Sequence, residues 1–375
     1  MSDTLPPITI PSDLLPSDGR FGCGPSRVRH AAVAALATEA DTYLGTSHRQ
    51  PRVRDMVGRL RSGVHDLFDL PDGWEVVLGN GGATTFWDVA TFGLIVERSQ
   101  HLVFGEFSGK FAATVAAAPH VGDPQLLEAA PGSAPSAVAA DDIDLYALTH
   151  NETSTGVALP LVRPDAAGLV AVDATSAAGG LRWDPTQVDV YYFAPQKCLA
   201  SDGGLWLAAC SPAAIERIDT LAAGDRWTPA TLDLGIALES SRKNQTYNTP
   251  SLATIFLAVE QLDWLNANGG IEWAASRCDE SAATVYGWAA AREWATPFVT
   301  DLSLRSSVVA TIDLDDHIDA LTVSKVLRAN GIVDTESYRK LGRNQLRIAL
   351  FPAIEPSDVA ALTACIDHVV SRMVG

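Results

Sequence analysis

Lys197 closes the run Tyr192-Phe193-Ala194-Pro195-Gln196-Lys197, where an apolar strand gives way to a lysine. In open α/β sheets the carboxyl ends of the strands are where ligands bind. An amine held there, partly desolvated, is a nucleophile able to form an imine with an aldehyde. Asp173 ends an earlier apolar strand, Leu169-Val170-Ala171-Val172-Asp173, and would place a carboxylate at the same edge. A third stretch, Leu78-Gly79-Asn80-Gly81-Gly82-Ala83-Thr84-Thr85, runs from a strand through glycines into a helix start. Backbone amides at such a junction bind phosphate. No Gly-Lys-Ser/Thr follows, so it is not a nucleotide P-loop, and Thr84 stands where a dinucleotide fingerprint needs its third glycine.

Each feature alone has an ordinary explanation: a solvated lysine, a turn aspartate, a flexible loop. Their order is more telling. Phosphate loop, strand-end Asp and strand-end Lys are together what pyridoxal 5′-phosphate (PLP) requires. The amine takes its aldehyde, the carboxylate faces its ring nitrogen, and the protonated ring then accepts electrons from a carbanion.

The elements that must position these residues are legible as periodicities. Val28–Leu44 is helix-prone, and Arg52–Leu67 carries Val53, Val57, Leu60, Val64 and Leu67 at helical spacing. Strands are expected at Glu75–Leu78, His101–Phe104, Asp144–Thr149, Leu169–Asp173, Val188–Phe193 and Leu205–Cys210, with helices between most of them. This alternation implies an α/β fold with a mixed, mostly parallel sheet covered on both faces. Helices over Thr254–Asn266 and Trp273–Trp294 lead into strands at Val308–Asp313 and Gln345–Ala349 and helices at Leu321–Ala329 and Pro356–Met373. The expected organisation is an N-terminal arm (1–20), a large domain (21–265) and a smaller C-terminal α+β domain (266–375). Pro124–Ala140 reads as a surface loop.

The chain has 375 residues and a formal charge of −18, which argues against nucleic-acid or anionic-membrane partners. No apolar run is long enough to span a bilayer. Met1–Gly19 has neither the positive start nor the apolar stretch of a secretory signal, so a cytoplasmic location is expected. Cys23, Cys198, Cys210, Cys278 and Cys365 are odd in number and form no CxxC pair, which reads as reduced thiols and no metal site. They read as small buried hydrophobes, with Cys198, beside Lys197, the one not assigned to the core.

Nearly the whole chain resembles the phosphoserine aminotransferases of actinobacterial type, class-V aminotransferases of PLP fold type I. The resemblance rests on Phe21-Gly22-Cys23-Gly24-Pro25-Ser26, Ser47-His48-Arg49, Gly81-Gly82-Ala83-Thr84, Asn151-Glu152-Thr153, Gln196-Lys197, Asn248-Thr249-Pro250 and Leu346-Arg347-Ile348-Ala349. It implies that Lys197 holds PLP covalently, that Asp173 pairs with its ring nitrogen and that Thr153 binds its phenolic oxygen. It implies that Gly82, Ala83 and Gln196 cradle the cofactor phosphate, helped by Asn248 and Thr249 from a second subunit of a homodimer with shared sites. His48 and Arg49 would reach the substrate phosphate across that interface, and Arg347 would bind the substrate α-carboxylate. The implied reaction moves an amino group from glutamate to 3-phosphohydroxypyruvate in serine biosynthesis; a phosphorylated hydroxythreonine of vitamin B6 synthesis is a related substrate.

Three positions depart from the family pattern. Phe107 stands where many relatives stack a tryptophan on the ring, and a phenylalanine can still stack. Ala83 replaces a phosphate-loop arginine. Tyr338-Arg339-Lys340-Leu341-Gly342-Arg343 replaces a His-Arg segment, with Arg339 and Arg343 as the candidate compensating cations. Other PLP enzymes remain alternatives, such as an alanine- or serine-glyoxylate aminotransferase or a cysteine desulfurase. More remote is a nicotinamide-dependent oxidoreductase.

Overall fold

A computed structural model describes residues 6–374. Helices α1 (His30–Tyr43) and α2 (Pro51–Phe68) come first, then strand β1 (Glu75–Asn80), α3 (Ala83–Gly93), β2 (Ser99–Val103) and α4 (Glu106–Ala116). They are followed by β3 (Gln125–Glu128), β4 (Leu145–Thr149), the two-residue hairpin strands β5 (Asn151–Glu152) and β6 (Val157–Ala158), β7 (Leu169–Asp173), β8 (Val190–Phe193) and β9 (Leu205–Cys210). Helices α5 (Pro212–Ala222), α6 (Leu234–Arg242), α7 (Leu252–Ala267) and α8 (Gly270–Ala290) lead to β10 (Ala295–Pro297), β11 (Val309–Leu314), α9 (Ala320–Ala329), β12 (Gln345–Ala349) and α10 (Pro356–Val374).

The main sheet has the order β1-β9-β8-β7-β4-β2-β3. Only β9 runs against its neighbours; the other pairings are parallel. Side chains alternate along each strand between two cores. Val76, Val170, Tyr191 and Leu207 face one layer with α2 and α7, while Val77, Ala171, Tyr192 and Trp206 face the other with α3, α5 and α6. Burial on both faces explains why the strands read as continuous apolar runs.

Beyond α7 a three-stranded antiparallel sheet, β10-β11-β12, packs with α8, α9 and α10. The arm lies across these elements in its own chain. Ile10 N–H donates to Asn330 Oδ1 (2.9 Å), Ser17 Oγ to Asp358 Oδ1 (2.8 Å), and Arg20 bridges to Val333. Met1–Leu5 lie outside the described residues.

One expectation about the fold needs correction. The stretch 124–140 is not all loop, because Gln125–Glu128 forms β3, paired in parallel with β2. As a sheet edge it is half-exposed and too short to announce itself by an apolar run. The sequence predicts helices between most of the strands without setting bounds for α4, α5 and α6; α4 begins at Glu106, with Gly105 as its N-cap.

Candidate active site

The parallel strands deliver their C-terminal residues to one cavity of about 410 Å³. β4 brings Thr149, the β5–β6 hairpin Asn151 and Thr153, β7 Asp173, and the turn after β8 Gln196 and Lys197. The start of α3 adds Gly82 and Ala83, α4 adds Phe107, and β12 adds Arg347 from the smaller sheet.

Lys197 is 7% exposed, and its Nζ donates to Thr153 Oγ1 at 2.9 Å. The Thr153 hydroxyl donates onward to Ser176 Oγ (2.8 Å), and Ser176 donates to the Asn151 carbonyl (3.0 Å) while accepting from Asn151 Nδ2 (2.8 Å). This chain fixes the lysine nitrogen. Burial lowers the Lys197 pKa from its ordinary value, and Asp173 opposes that shift. Gly24 closes the other side. It adopts φ +140°, and a Cβ there would lie 2.8 Å from Lys197 Cε, so only glycine lets the backbone pass.

Asp173 accepts from the Thr175 N–H at 3.0 Å and from the Trp87 indole Nε1 at 3.1 Å. The Phe107 ring centroid is 5.1 Å from Lys197 Nζ. Its helix is anchored by Glu152, which is fully buried. The Glu152 carboxylate accepts from the N–H of Phe107 (3.1 Å) and Ser108 (2.9 Å) and from the hydroxyls of Ser108 (2.9 Å) and Ser154 (2.7 Å). An anion at a helix N-terminus satisfies amides that have no partner within the helix. Arg347 donates from Nη1 to the Thr153 carbonyl (3.3 Å), and its guanidinium lies 5.4 Å from the Tyr338 ring centroid.

These residues fit PLP. Asn151 Oδ1, Thr175 Oγ1, Gln196 Oε1 and Arg347 Nε are buried with no hydrogen-bond partner, although they line or flank the cavity. Buried polar atoms in a folded protein are rarely left so. An amine, a carboxylate, a glycine-led helix start and an aromatic face border the same space.

Eight of the expected site residues therefore converge: Gly82, Ala83, Phe107, Thr153, Asp173, Gln196, Lys197 and Arg347. Six do not line the cavity. His48 and Thr249 meet each other (Nδ1 to Oγ1, 3.2 Å), the Thr249 carbonyl accepts from Asn80 Nδ2 (2.9 Å), and Arg49 and Asn248 are exposed beside them. Burial, and then the Arg49 charge, lower the His48 pKa. Arg339 is exposed. Arg343 is a correction: its guanidinium forks onto Asp313 and lies over Phe298 (4.4 Å), so it is committed away from the cavity.

Sequence reasoning missed Trp87, Tyr338, Ser176 and Cys23, all of which line the cavity. Trp87 had a usable signal, sitting just over one turn beyond the glycine loop. Cys198 is buried, its thiol donates to the Ser176 carbonyl (3.3 Å), and burial pushes its pKa well up. All five cysteines are buried, and Cys23 alone of them lines the cavity.

Comparison with known proteins matches this geometry. Residues 127–335 fit the family described as Aminotransferase class-V. A phosphoserine aminotransferase from a Nocardioides species is 60% identical over 377 residues, covering 100% of both chains. Among solved structures, a phosphoserine aminotransferase from Cytophaga hutchinsonii superposes with a TM-score of 0.84 at 24% identity, covering 93% of this chain and 99% of that one. One from Bacillus circulans subsp. alkalophilus gives 0.82 at 20% identity, covering 95% and 99%. The fold is that of a PLP-dependent aminotransferase. The chain belongs to the class-V aminotransferases and, within them, to the phosphoserine aminotransferase family.

Proposed function

We propose that the chain transfers the amino group of glutamate to 3-phosphohydroxypyruvate, giving O-phosphoserine and 2-oxoglutarate, as a cytoplasmic step of serine biosynthesis. The analogous phosphohydroxythreonine of vitamin B6 synthesis is a second candidate substrate. The observation that carries the reading is a buried Lys197 amine, oriented by Thr153, in one cavity with Asp173 and Arg347.

Gly82, Ala83 and Gln196 would hold the PLP phosphate, Thr153 the phenolic oxygen, Asp173 the ring nitrogen and Lys197 the aldehyde carbon, with Phe107 against the ring. Bound there, PLP supplies an electron sink for a carbanion. Burial favours the neutral form of Lys197, so its nitrogen can take a proton from the substrate Cα and return it at a neighbouring carbon. Arg347 presents a guanidinium fork to the substrate α-carboxylate. Tyr338, against both Arg347 and Phe107 (ring centroids 6.0 Å), restrains that fork.

Lys197 and Arg347 are the only lysine or arginine among the described residues that line the cavity, and both have other roles in this reading, so a phosphorylated acceptor needs further cations that Ala83 does not offer. We assign them to His48 and Arg49 of a second copy, with Asn248 and Thr249 completing the cofactor phosphate site and Arg339 at the rim. The support is that all five are at least partly exposed and four of them gather in one patch outside their own cavity.

Amino transfer from glutamate to 3-phosphohydroxypyruvate, compared with pyruvate and glyoxylate, tests the assignment. Equal rates with unphosphorylated acceptors remove the phosphorylated substrate. Mixing Lys197→Ala with Arg49→Ala tests the shared site: two inactive variants should regain activity in mixed dimers, and no recovery removes the sharing.

A further inference from the structure

One helix carries two parts of the site. The first residues of α3, Ala83 and Thr84, follow the glycine loop, and just over one turn later Trp87 sends its indole N–H to Asp173 Oδ2 (3.1 Å). Trp87 is 3% exposed and lines the cavity. Its ring stacks near Phe111 (6.2 Å, 15°) in the core layer behind the sheet, so its packing alone would explain its presence. The hydrogen bond is what packing does not explain. A phenylalanine fills much of that layer without sending a donor to the carboxylate at the base of the cavity.

We propose that Trp87 is a positioning residue for Asp173: its indole N–H holds one carboxylate oxygen, ties that carboxylate to the helix whose start borders the phosphate loop, and keeps the proton on the ring nitrogen of the bound cofactor. The inference rests on the PLP reading above. An N–H donor favours the charged form of a carboxylate and makes it a weaker competitor for a shared proton. The Thr175 N–H supplies a second such donor on Oδ1. The other titratable groups facing Asp173 are Lys197, Tyr191 and Tyr192, and the buried Tyr192 hydroxyl lies close to both Trp87 and Asp173. Loss of the indole donor leaves that oxygen free to turn from the ring nitrogen, which becomes less charged and makes the ring a poorer electron sink.

The test compares PLP-loaded wild type with Trp87→Phe, and with 3-benzothienylalanine at position 87, which keeps the indole shape and replaces only N–H by sulfur. The readouts are the pH midpoint of the visible absorbance and the split between kcat and KM. Both variants should move the midpoint to higher pH and lower kcat roughly tenfold, the size of one hydrogen bond to a charged group, with KM for glutamate little changed. In an Asp173→Asn background the same substitutions should add nothing, because the effect runs through that carboxylate. An unmoved midpoint in the isosteric variant, or a full additional effect on top of Asp173→Asn, overturns the proposal. If wild type takes up no PLP, or keeps its visible band in Lys197→Ala, the underlying cofactor reading fails instead.

Discussion

The base of the cavity and its rim are built in opposite ways. At the base, Lys197, Thr153, Ser176, Asn151, Asp173 and Trp87 are at most 7% exposed and joined by hydrogen bonds of 2.8–3.1 Å within one chain. At the proposed rim, Arg49, Asn248, Thr249 and Arg339 are exposed and do not line the cavity of their own chain. The chemistry of amino transfer needs fixed atoms in a low-dielectric space, and burial supplies both. Recognition of a mobile phosphorylated substrate needs cations that remain hydrated until it arrives. On the function proposed above, the amino-transfer groups lie inside a single chain, whereas acceptor choice falls to surface groups.

The sharpest way to break this contrast is at the base. Lys197→Ala should lower turnover by roughly a thousandfold or more and abolish the visible absorbance of the PLP-loaded protein. Stopped-flow measurement of the glutamate half-reaction checks it; normal turnover would remove the base from catalysis. Arg347, which links base to rim, should matter next. Arg347→Ala should reduce kcat/KM for glutamate by about a hundredfold through loss of a charge-assisted fork, read from initial rates over a range of glutamate concentrations.

Glu152 sharpens the comparison by separating support from chemistry. Glu152→Ala strands the buried N–H groups of Phe107 and Ser108, so denaturant unfolding should show a loss of about 2 kcal/mol or more. PLP affinity should fall with it, as the Phe107 helix loosens. Burial also makes stability pH-dependent. His101 and His150 are held neutral, their pKa values pushed down to about 3 from 6.5. Between those values the unfolded chain binds protons that the folded chain refuses, so stability should rise with pH across this window. The slope is at most about 1.4 kcal/mol per pH unit for each histidine, and urea titrations at several pH values measure it. The smallest effects are expected at Arg343 and Arg339. Arg343→Ala removes a surface pair with Asp313 and a contact over the Phe298 ring, so stability should change by about 1 kcal/mol with KM unchanged. Arg339→Ala should raise KM for the phosphorylated acceptor alone. An acceptor effect from Arg343 would reverse the order of the two arginines.

Much of this was open to reading from residue order. The apolar runs ending in Asp173 and preceding Lys197 announced parallel strands and their functional edge, because strands buried on both faces must be apolar throughout. The helical spacing of Val53, Val57, Leu60 and Val64 announced α2 for the same reason, and all four are buried. Strand β3 escaped, since a half-exposed edge of four residues has no run to display. Arg343 was misread because a cation looks the same in sequence whether it awaits a ligand or already grips an aspartate.

Taken alone, the order of amino acids determined the sheet, the lysine, its opposing carboxylate and the glycine turn, since local periodicity and residue chemistry depend only on near neighbours. Tertiary structure alone decided that Trp87 reaches Asp173, that Ser176 and Thr153 hold the lysine nitrogen, that Glu152 caps the helix bearing Phe107 and that Tyr338 stands between Phe107 and Arg347. Most of those contacts join residues tens to hundreds of positions apart. Hydrogen bonds and ring contacts act over a few ångströms of space, and only packing of the layers sets which distant side chains fall within that reach.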